Sequence, residues 1–321
     1  MKKNKEELFE LNELEKRILD LLSKEKTKIE LPQLQIKNGH KLVEQAVLVL
    51  SDIHYGKLNY FYDYQKERRI CTYSPEIFIQ ESNRLLDAVQ TINKLLFGGY
   101  TFEKLNLFCV GDLVENEIIF KGQEKFISQG IVLQVVEFVS YFKKIILELL
   151  KLFPKIRVIV VGGNHGRIAD LDGGTDWDYN NYDYLVGKII QTIFEKQKRI
   201  EVVVPNSWFY VEEIYGWRYL LHHGSTVYSW MGIPYYGITR QSKSRRMEIP
   251  FDVEVIGHFH HLMEVTTSSQ AKTLVNGCWI DKDQYGWKKF GNLSIPEQWY
   301  FGISRKRPIS WQFKIDLRIN R

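Results

Sequence analysis

Cysteine is scarce in this chain: Cys71, Cys109 and Cys278 are the full set, an odd number with no paired spacing. Neither a disulfide framework nor a thiolate zinc cluster can be built from them, and Cys109, inside an apolar run, reads as core. Long apolar runs are missing too. No stretch approaches the ~20 uninterrupted apolar residues of a membrane span, and the Lys-rich start lacks the apolar segment of a signal peptide, so the expectation is a cytoplasmic protein. Internal repeats and low-complexity linkers are absent. Charge of one sign is in modest excess only: a net +5 and a pI near 8.8 tilt toward acidic partners without reaching the basic balance of a dedicated nucleic-acid binder.

What the chain does have is apolar content, 44% of 321 residues, enough to bury one large α/β core. The expected organisation is an N-terminal helical extension, residues 1–40, followed by the main domain, residues 41–321. In the extension Leu8, Leu11, Leu14, Ile18, Leu21 and Leu22 recur at helical spacing between Glu and Lys residues, which predicts an amphipathic helix over residues 5–24 packed on the main domain. The main domain starts with the apolar run at residues 46–50, after which strand-like and helix-like stretches alternate as a βαβ architecture requires. Ser74-Pro75-Glu76 opens the first helix. Ser74 caps free amides, Pro75 suits the first turn, and Leu85, Val89, Ile92 and Leu96 supply a buried stripe. A second helix, about residues 132–152, ends before Pro154 and is apolar on more than one face, which predicts deep burial.

Five apolar runs each end in a polar cluster. Residues 47–50 precede Ser51-Asp52-Ile53-His54, residues 105–110 precede Gly111-Asp112, and residues 158–161 precede Gly162-Gly163-Asn164-His165. Residues 219–221 lead into His222-His223-Gly224, and residues 253–256 into Gly257-His258-Phe259-His260. In open α/β sheets ligands bind beyond the carboxyl ends of strands, so these clusters would converge at one edge. Seven of the eight histidines fall in them or, as His261, directly after the last, with His40 alone outside. Taken singly, His222 or His261 reads as a hydrogen-bonded core residue. The whole set, gathered with Asp and Asn at strand ends, points to metal ligands. Imidazole, carboxylate and amide donors suit Mn, Fe or Zn better than Mg or Ca, and the lack of thiolate argues against a structural zinc. Two ions ~3.5–4 Å apart on one shared carboxylate are the template for phosphate-ester hydrolysis, and Asp112 is the natural bridge.

The series Asp52-x-His54, Gly111-Asp112, Gly163-Asn164-His165, His223-Gly224 and Gly257-His258-x-His260 resembles the calcineurin-like metallophosphoesterase superfamily over roughly residues 46–316. The resemblance implies a four-layer α/β/β/α sandwich in which two β-sheets are flanked by helices. It implies two divalent transition metals, Mn²⁺ first and Fe or Zn as alternatives. Asp52, His54 and His260 would hold one, Asn164, His223 and His258 the other, and Asp112 would bridge them. By the same resemblance His165 faces the scissile phosphate, as a proton donor to the leaving oxygen or a stabiliser of the transition state. His222 or His223 could fill the fourth motif, and the family pattern, with the ligand directly before Gly, selects His223.

Within the superfamily, Ser51-Asp52-Ile53-His54-Tyr55-Gly56 is similar to the opening motif of the Mre11 and SbcD double-strand-break nucleases. That branch has a carboxylate after Asn-His, where Gly166-Arg167 stands here, and a His soon after Gly-Asp, where Leu113-Val114-Glu115-Asn116 stands. In the phosphoprotein phosphatases the Gly-Asp motif runs on to Asp-Arg-Gly, whose arginine clamps the phosphate. Glu115-Asn116-Glu117 has none, so Arg167 is the candidate clamp, weighed against a merely solvated Arg. Gly232-Ile233-Pro234-Tyr235-Tyr236-Gly237 followed by Arg240, Lys243, Arg245 and Arg246 resembles phosphoesterases encoded in phages and prophages. Aromatics beside a cationic run can stack bases and neutralise backbone phosphates. A solvated helix face explains the charges equally well. Residues 170–184 carry Asp172, Asp176, Trp177, Asp178 and Tyr182 and are expected to overhang the site, restricting access, orienting His165 or turning out into water.

These readings converge on a hydrolase that attacks phosphate esters with metal-activated water, with nucleic-acid phosphodiesters as the expected substrate. A small-molecule or nucleotide phosphatase or phosphodiesterase is the alternative, favoured if the stretch at residues 170–184 closes the pocket to polymers. A non-catalytic metal-binding scaffold is the second alternative, disfavoured because every expected ligand position is intact.

Overall fold

Alternate residues of the first strand enter two different cores, and this division sets the architecture. The computed structural model describes residues 41–168, 180–230, 233–291 and 293–318. The predicted helix at residues 5–24 and the residues Asp172, Asp176, Trp177 and Asp178 lie outside them. Along the chain run β1 (Leu42–Leu50), β2 (Asn59–Asp63), β3 (Arg68–Tyr73), α1 (Pro75–Leu96), β4 (Tyr100–Val110), α2 (Ile131–Leu149) and β5 (Ile156–Val161). There follow α3 (Tyr182–Phe194), β6 (Ile200–Val203), β7 (Phe209–Ile214), β8 (Trp217–His222), α4 (Tyr235–Glu248), β9 (Val253–Ile256), β10 (Met263–Ser268), β11 (Ala271–Val275), α5 (Gln284–Phe290), β12 (Glu297–Ser304) and β13 (Arg307–Asp316).

Successive side chains of a strand point to opposite faces. Ala46, Leu48 and Leu50 of β1 therefore pack with Leu85 and Val89 of α1, Phe138 and Phe142 of α2, and Val186 and Ile190 of α3. Val47 and Val49 point the other way, against Tyr219, Leu221, Val253 and Val255 of a second sheet. A strand covered on both faces reads as one continuous apolar run, which is what residues 46–50 show. The first sheet has the order β13-β12-β1-β4-β5-β6 and the second β10-β11-β9-β8-β7. The outer face of the second sheet gives Ile256, Val265 and Val275 to a smaller core closed by Ile238 of α4. Helices, sheet, sheet and helix thus make the α/β/β/α order that the sequence predicts. β1, β4 and β5 are parallel, as are β8 and β9, so the polar clusters that follow them leave from corresponding strand ends.

α1 starts where its sequence says it should. The Ser74 hydroxyl accepts from the Ile77 amide at 3.4 Å, Pro75 opens the first turn, and Leu85, Val89 and Ile92 are buried. Loss of such a cap costs about 1 kcal/mol. α2 differs from expectation. It ends at Leu149, a little earlier than expected though still before Pro154, in a turn whose Leu150 and Phe153 carbonyls accept from Arg199 at 2.7 and 2.8 Å. Its extra apolar face is not buried either: Val132, Leu133 and Val136 are 54–69% exposed, since only one side of the helix meets the sheet.

Candidate metal centre

At the strand ends the chain turns through left-handed backbone. Asp52, His54, Asp112, His258 and His260 have φ of 50, 51, 54, 72 and 59°. Non-glycine residues seldom adopt this region, at a cost of order 1 kcal/mol or more each, and they persist only where neighbours over-determine them. Here the neighbours do. The amides of Asp52 and His54 donate to the carbonyls of Gly111 and Asp112 at 3.1 and 3.0 Å, and the His258 amide donates to the Asp52 carboxylate at 3.0 Å. The Gly163 backbone runs so close to Asp112 that no Cβ fits there.

These turns gather two groups of donors. Asp52, His54 and His260 offer ligand atoms within 4.8 Å of one another, and so do Asp112, His223 and His258; His54, Glu115 and His165 form a third such set behind the first. In the first group the Nε2 atoms of His54 and His260 face each other at 3.1 Å, with Asp52 Oδ1 3.5 Å from His260. In the second, His223 Nε2 lies 3.0 Å from Asp112 Oδ2 and 2.9 Å from Asn164 Oδ1. Asp112 Oδ2 is also 3.9 Å from His54 Nε2, so a single oxygen faces both groups. Its other oxygen, Oδ1, is occupied by the His165 amide at 2.7 Å.

The far sides of the rings fix their tautomers. His54 Nδ1 meets Glu115 Oε2 at 2.7 Å and His223 Nδ1 meets the Val110 carbonyl at 2.9 Å. Both partners only accept, so Nδ1 carries the proton and the Nε2 lone pair turns inward. Among the described residues neither Asp52 nor Asp112 pairs with a lysine or arginine. Burial alone would raise the pKa of Asp112, but positive charge at His223 and His165 holds it well below the usual carboxylate range. Burial alone would likewise lower the pKa of His223, yet Asp112 lifts it to about 9. Converging nitrogen and oxygen donors with unspent negative charge fit two divalent transition metals.

His165 stands beside these groups. Its ring meets that of His54 edge-on, centroids 4.5 Å apart, and its Nδ1 lies 3.0 Å from the Glu115 carbonyl and 3.3 Å from Glu115 Oε2. Among the described residues its Nε2 has no partner. Burial lowers its pKa, but the charges of Glu115 and Asp112 outweigh burial and raise it.

Two buried acids escaped the sequence reading. Glu115 joins His54, His165, Lys57 at 3.6 Å and Gln123 at 3.1 Å. Burial would raise its pKa, but Lys57 and His165 hold it well below the carboxylate range. Asp183 accepts from the amides of Asp112, Leu113 and Gly163 at 2.9, 3.0 and 2.8 Å and so ties two motif loops together. Burial, aided by the Asp112 charge, pushes it up to about 6. The available signals were an acid three residues beyond Asp112 in an otherwise apolar stretch, and an acid directly inside a helix capped by Asn181.

Other candidates are placed elsewhere. His222 turns away to Glu254 at 2.9 Å, and His261 joins neither donor group. Arg245 bonds Glu254 at 3.1 Å and Arg246 the Phe251 carbonyl at 2.9 Å, which ties both to the second sheet, while Arg240 and Lys243 are exposed. Arg167 is half-buried; its backbone bridges to Asn181 and its Nε has no hydrogen-bond partner among the described residues. Tyr182, expected to overhang the site, instead begins α3 and packs against the main core, because Asn181 starts the helix there.

The family model for calcineurin-like phosphoesterases matches residues 46–274, a span that holds every ligand candidate. The chain belongs to the calcineurin-like phosphoesterase family. The family is one of dimetal-dependent hydrolases of phosphate esters, and the candidate ligand groups described above are in keeping with it. No curated protein matches the chain. Similar solved structures include a Vps29 single mutant from Entamoeba histolytica, 13% identical over 85% of this chain and 99% of that one, with a TM-score of 0.39. A dimetal phosphatase from Danio rerio is 11% identical over 85% and 99% of the two chains, with a TM-score of 0.36. A 5'-nucleotidase from Candida albicans is 11% identical over 88% of this chain and 52% of its own, with a TM-score of 0.33. No helix among the described residues of this phosphoesterase is long and apolar enough to cross a membrane.

Proposed function

We propose that this phosphoesterase is a nuclease that cleaves nucleic-acid phosphodiesters, with Mn²⁺ as its working ion. The observation that carries the reading is the surface beside the second donor group. Tyr228, Trp230 and Tyr236 are 81, 79 and 71% exposed, and Arg240 and Lys243 are exposed on the helix that follows. The Tyr228 backbone lies so close to Gly237 that no Cβ fits, so the loop and the first turns of α4 make one surface. Val227 and Ile238 anchor it in the core that includes Ile256 and Phe259, next to His258. Exposed aromatics followed by exposed cations suit stacked bases and a phosphate backbone.

In this reading Asp52, His54 and His260 hold one ion, Asn164, His223 and His258 the other, and Asp112 both. When bound, the ions supply a water activated at neutral pH and positive charge for the phosphoryl oxygens. His165, with Nδ1 fixed by the Glu115 carbonyl, keeps Nε2 available to give a proton to the leaving oxygen.

Labelled single- and double-stranded oligonucleotides and a small chromogenic diester, each assayed with Mn²⁺, test the substrate. Neutralising Arg240 and Lys243 should weaken oligonucleotide binding and lower the log-log salt slope by about 0.7–0.9 per lost contact, far more than it affects the small diester. Equal oligonucleotide binding and equal slopes in variant and parent would remove the polymer-tracking role. Hydrolysis of small esters with no oligonucleotide cleavage would make the protein a small-molecule phosphatase instead.

A further inference from the structure

An aromatic ring that the chemistry above does not use stands next to His165. Phe120 lies with its ring centroid 6.2 Å from the His165 ring at an interplanar angle of 70°, and it is 40% exposed. A singly exposed Phe is ordinary in itself. What distinguishes this one is how firmly its loop is held against the catalytic side. Ile119 is buried, and its amide donates to Gln123 Oε1 at 2.7 Å. The Gln123 side chain is fully buried and donates in turn to the Glu115 carbonyl at 2.8 Å and to Glu115 Oε1 at 3.1 Å. The loop closes in a turn in which the Gln123 amide donates to the Phe120 carbonyl at 3.2 Å, and Gly122 supplies the left-handed residue with φ of 87°. At the other end Asn116 Nδ2 donates to the carbonyls of His165 and Arg167, both at 2.8 Å. The same buried Gln123–Glu115 pair therefore positions the His165 ring and the backbone that carries Phe120.

We infer that Phe120 is a specificity-determining residue that lines a leaving-group subsite and selects esters whose leaving alcohol carries an aromatic ring or a base. The inference rests on the reading of His165 as the proton donor to the leaving oxygen. A group attached one or two bonds beyond that oxygen comes within reach of a ring that touches His165. Ring-on-ring contact there is sequence-tolerant, because every base has a π-face.

The test is a matched pair of diesters: benzyl methyl phosphate, followed by release of benzyl alcohol, and ethyl methyl phosphate, followed by release of ethanol. The parent protein with Mn²⁺ should prefer the benzyl ester by about tenfold in kcat/KM, a typical worth of one aromatic stack. In Phe120→Ala the ratio should fall toward unity, and Phe120→Trp should keep it. Metal content and thermal melting, measured on each variant, verify that the fold and the donor groups are intact. A parent without benzyl preference, or an Ala variant that keeps the preference, overturns the subsite. Oligonucleotide cleavage assayed alongside separates the two claims. Benzyl preference without oligonucleotide cleavage ends the nuclease reading and keeps the subsite, and the reverse result ends the subsite and keeps the nuclease.

Discussion

The two halves of the donor site are supported by different materials. Behind His54 stands a carboxylate, Glu115, in a buried network with Lys57, Gln123 and His165. Behind His223 stands a main-chain carbonyl, that of Val110 at the end of β4. A carboxylate makes the imidazole a stronger donor and can be weakened by one substitution, whereas a strand carbonyl moves only with its sheet. The first half thus shares its support with His165, while the second is an extension of the core. Asp112 is the one residue whose single oxygen serves both.

The largest expected effect follows from that oxygen. Asp112→Ala should erase the distinction by emptying both halves, with turnover lost by at least about 10³-fold and metal analysis showing neither ion retained. An Asp112→Ala protein that keeps one ion at full affinity would show that the halves do not share it. His165→Ala comes next. The rate should fall by about 10²- to 10⁴-fold with metal content level, because the residue holds a proton and not an ion. Loss of an ion in this variant would place His165 among the ligands. Glu115→Gln sharpens the comparison directly. Titration with Mn²⁺ should show the affinity of one site falling by about 10- to 100-fold and the other unchanged. Equal weakening of both would mean that the carboxylate does not act through His54.

The last effect lies in the second sheet, outside both donor groups. Glu254, buried beside His222 and Arg245, would be raised by burial, but His222, Thr273 and Arg245 bring it down from 4.5 to about 2. Its folded pKa lies below its unfolded one, so its contribution is fully present above about pH 4.5 and is lost as the pH falls toward 2. Denaturant melts of parent and Glu254→Gln across that window should differ by a margin, on the order of 3 kcal/mol at its upper end, that closes as the pH falls. A margin that stays constant would show that the Glu254 charge does not carry the pair.

Much of the fold was legible because burial on both faces of a strand leaves a continuous apolar run, and β1, β4 and β5 each show one. The donor residues were legible because each follows such a run and because metal binding needs a narrow set of side chains. Glu115 and Asp183 were not, since a buried acid is recognisable only by what the fold places around it, and their partners lie up to 71 residues away in sequence. For the same reason Arg245 read as a free cation although Glu254 claims it, and the apolar residues Val132, Leu133 and Val136 read as buried although they stand more than half exposed. The left-handed turns at Asp52, His54, Asp112, His258 and His260 leave only a weak trace, since Asp and His are enriched in that backbone region but do not require it.

The position of the ions is the most direct test of the shared oxygen. Crystals soaked in Mn²⁺ and measured at the manganese absorption edge should show two anomalous peaks. One should be held by Asp52, His54 and His260, the other by Asn164, His223 and His258, with Asp112 Oδ2 between them. A single peak, or two peaks that do not share Asp112, would contradict it.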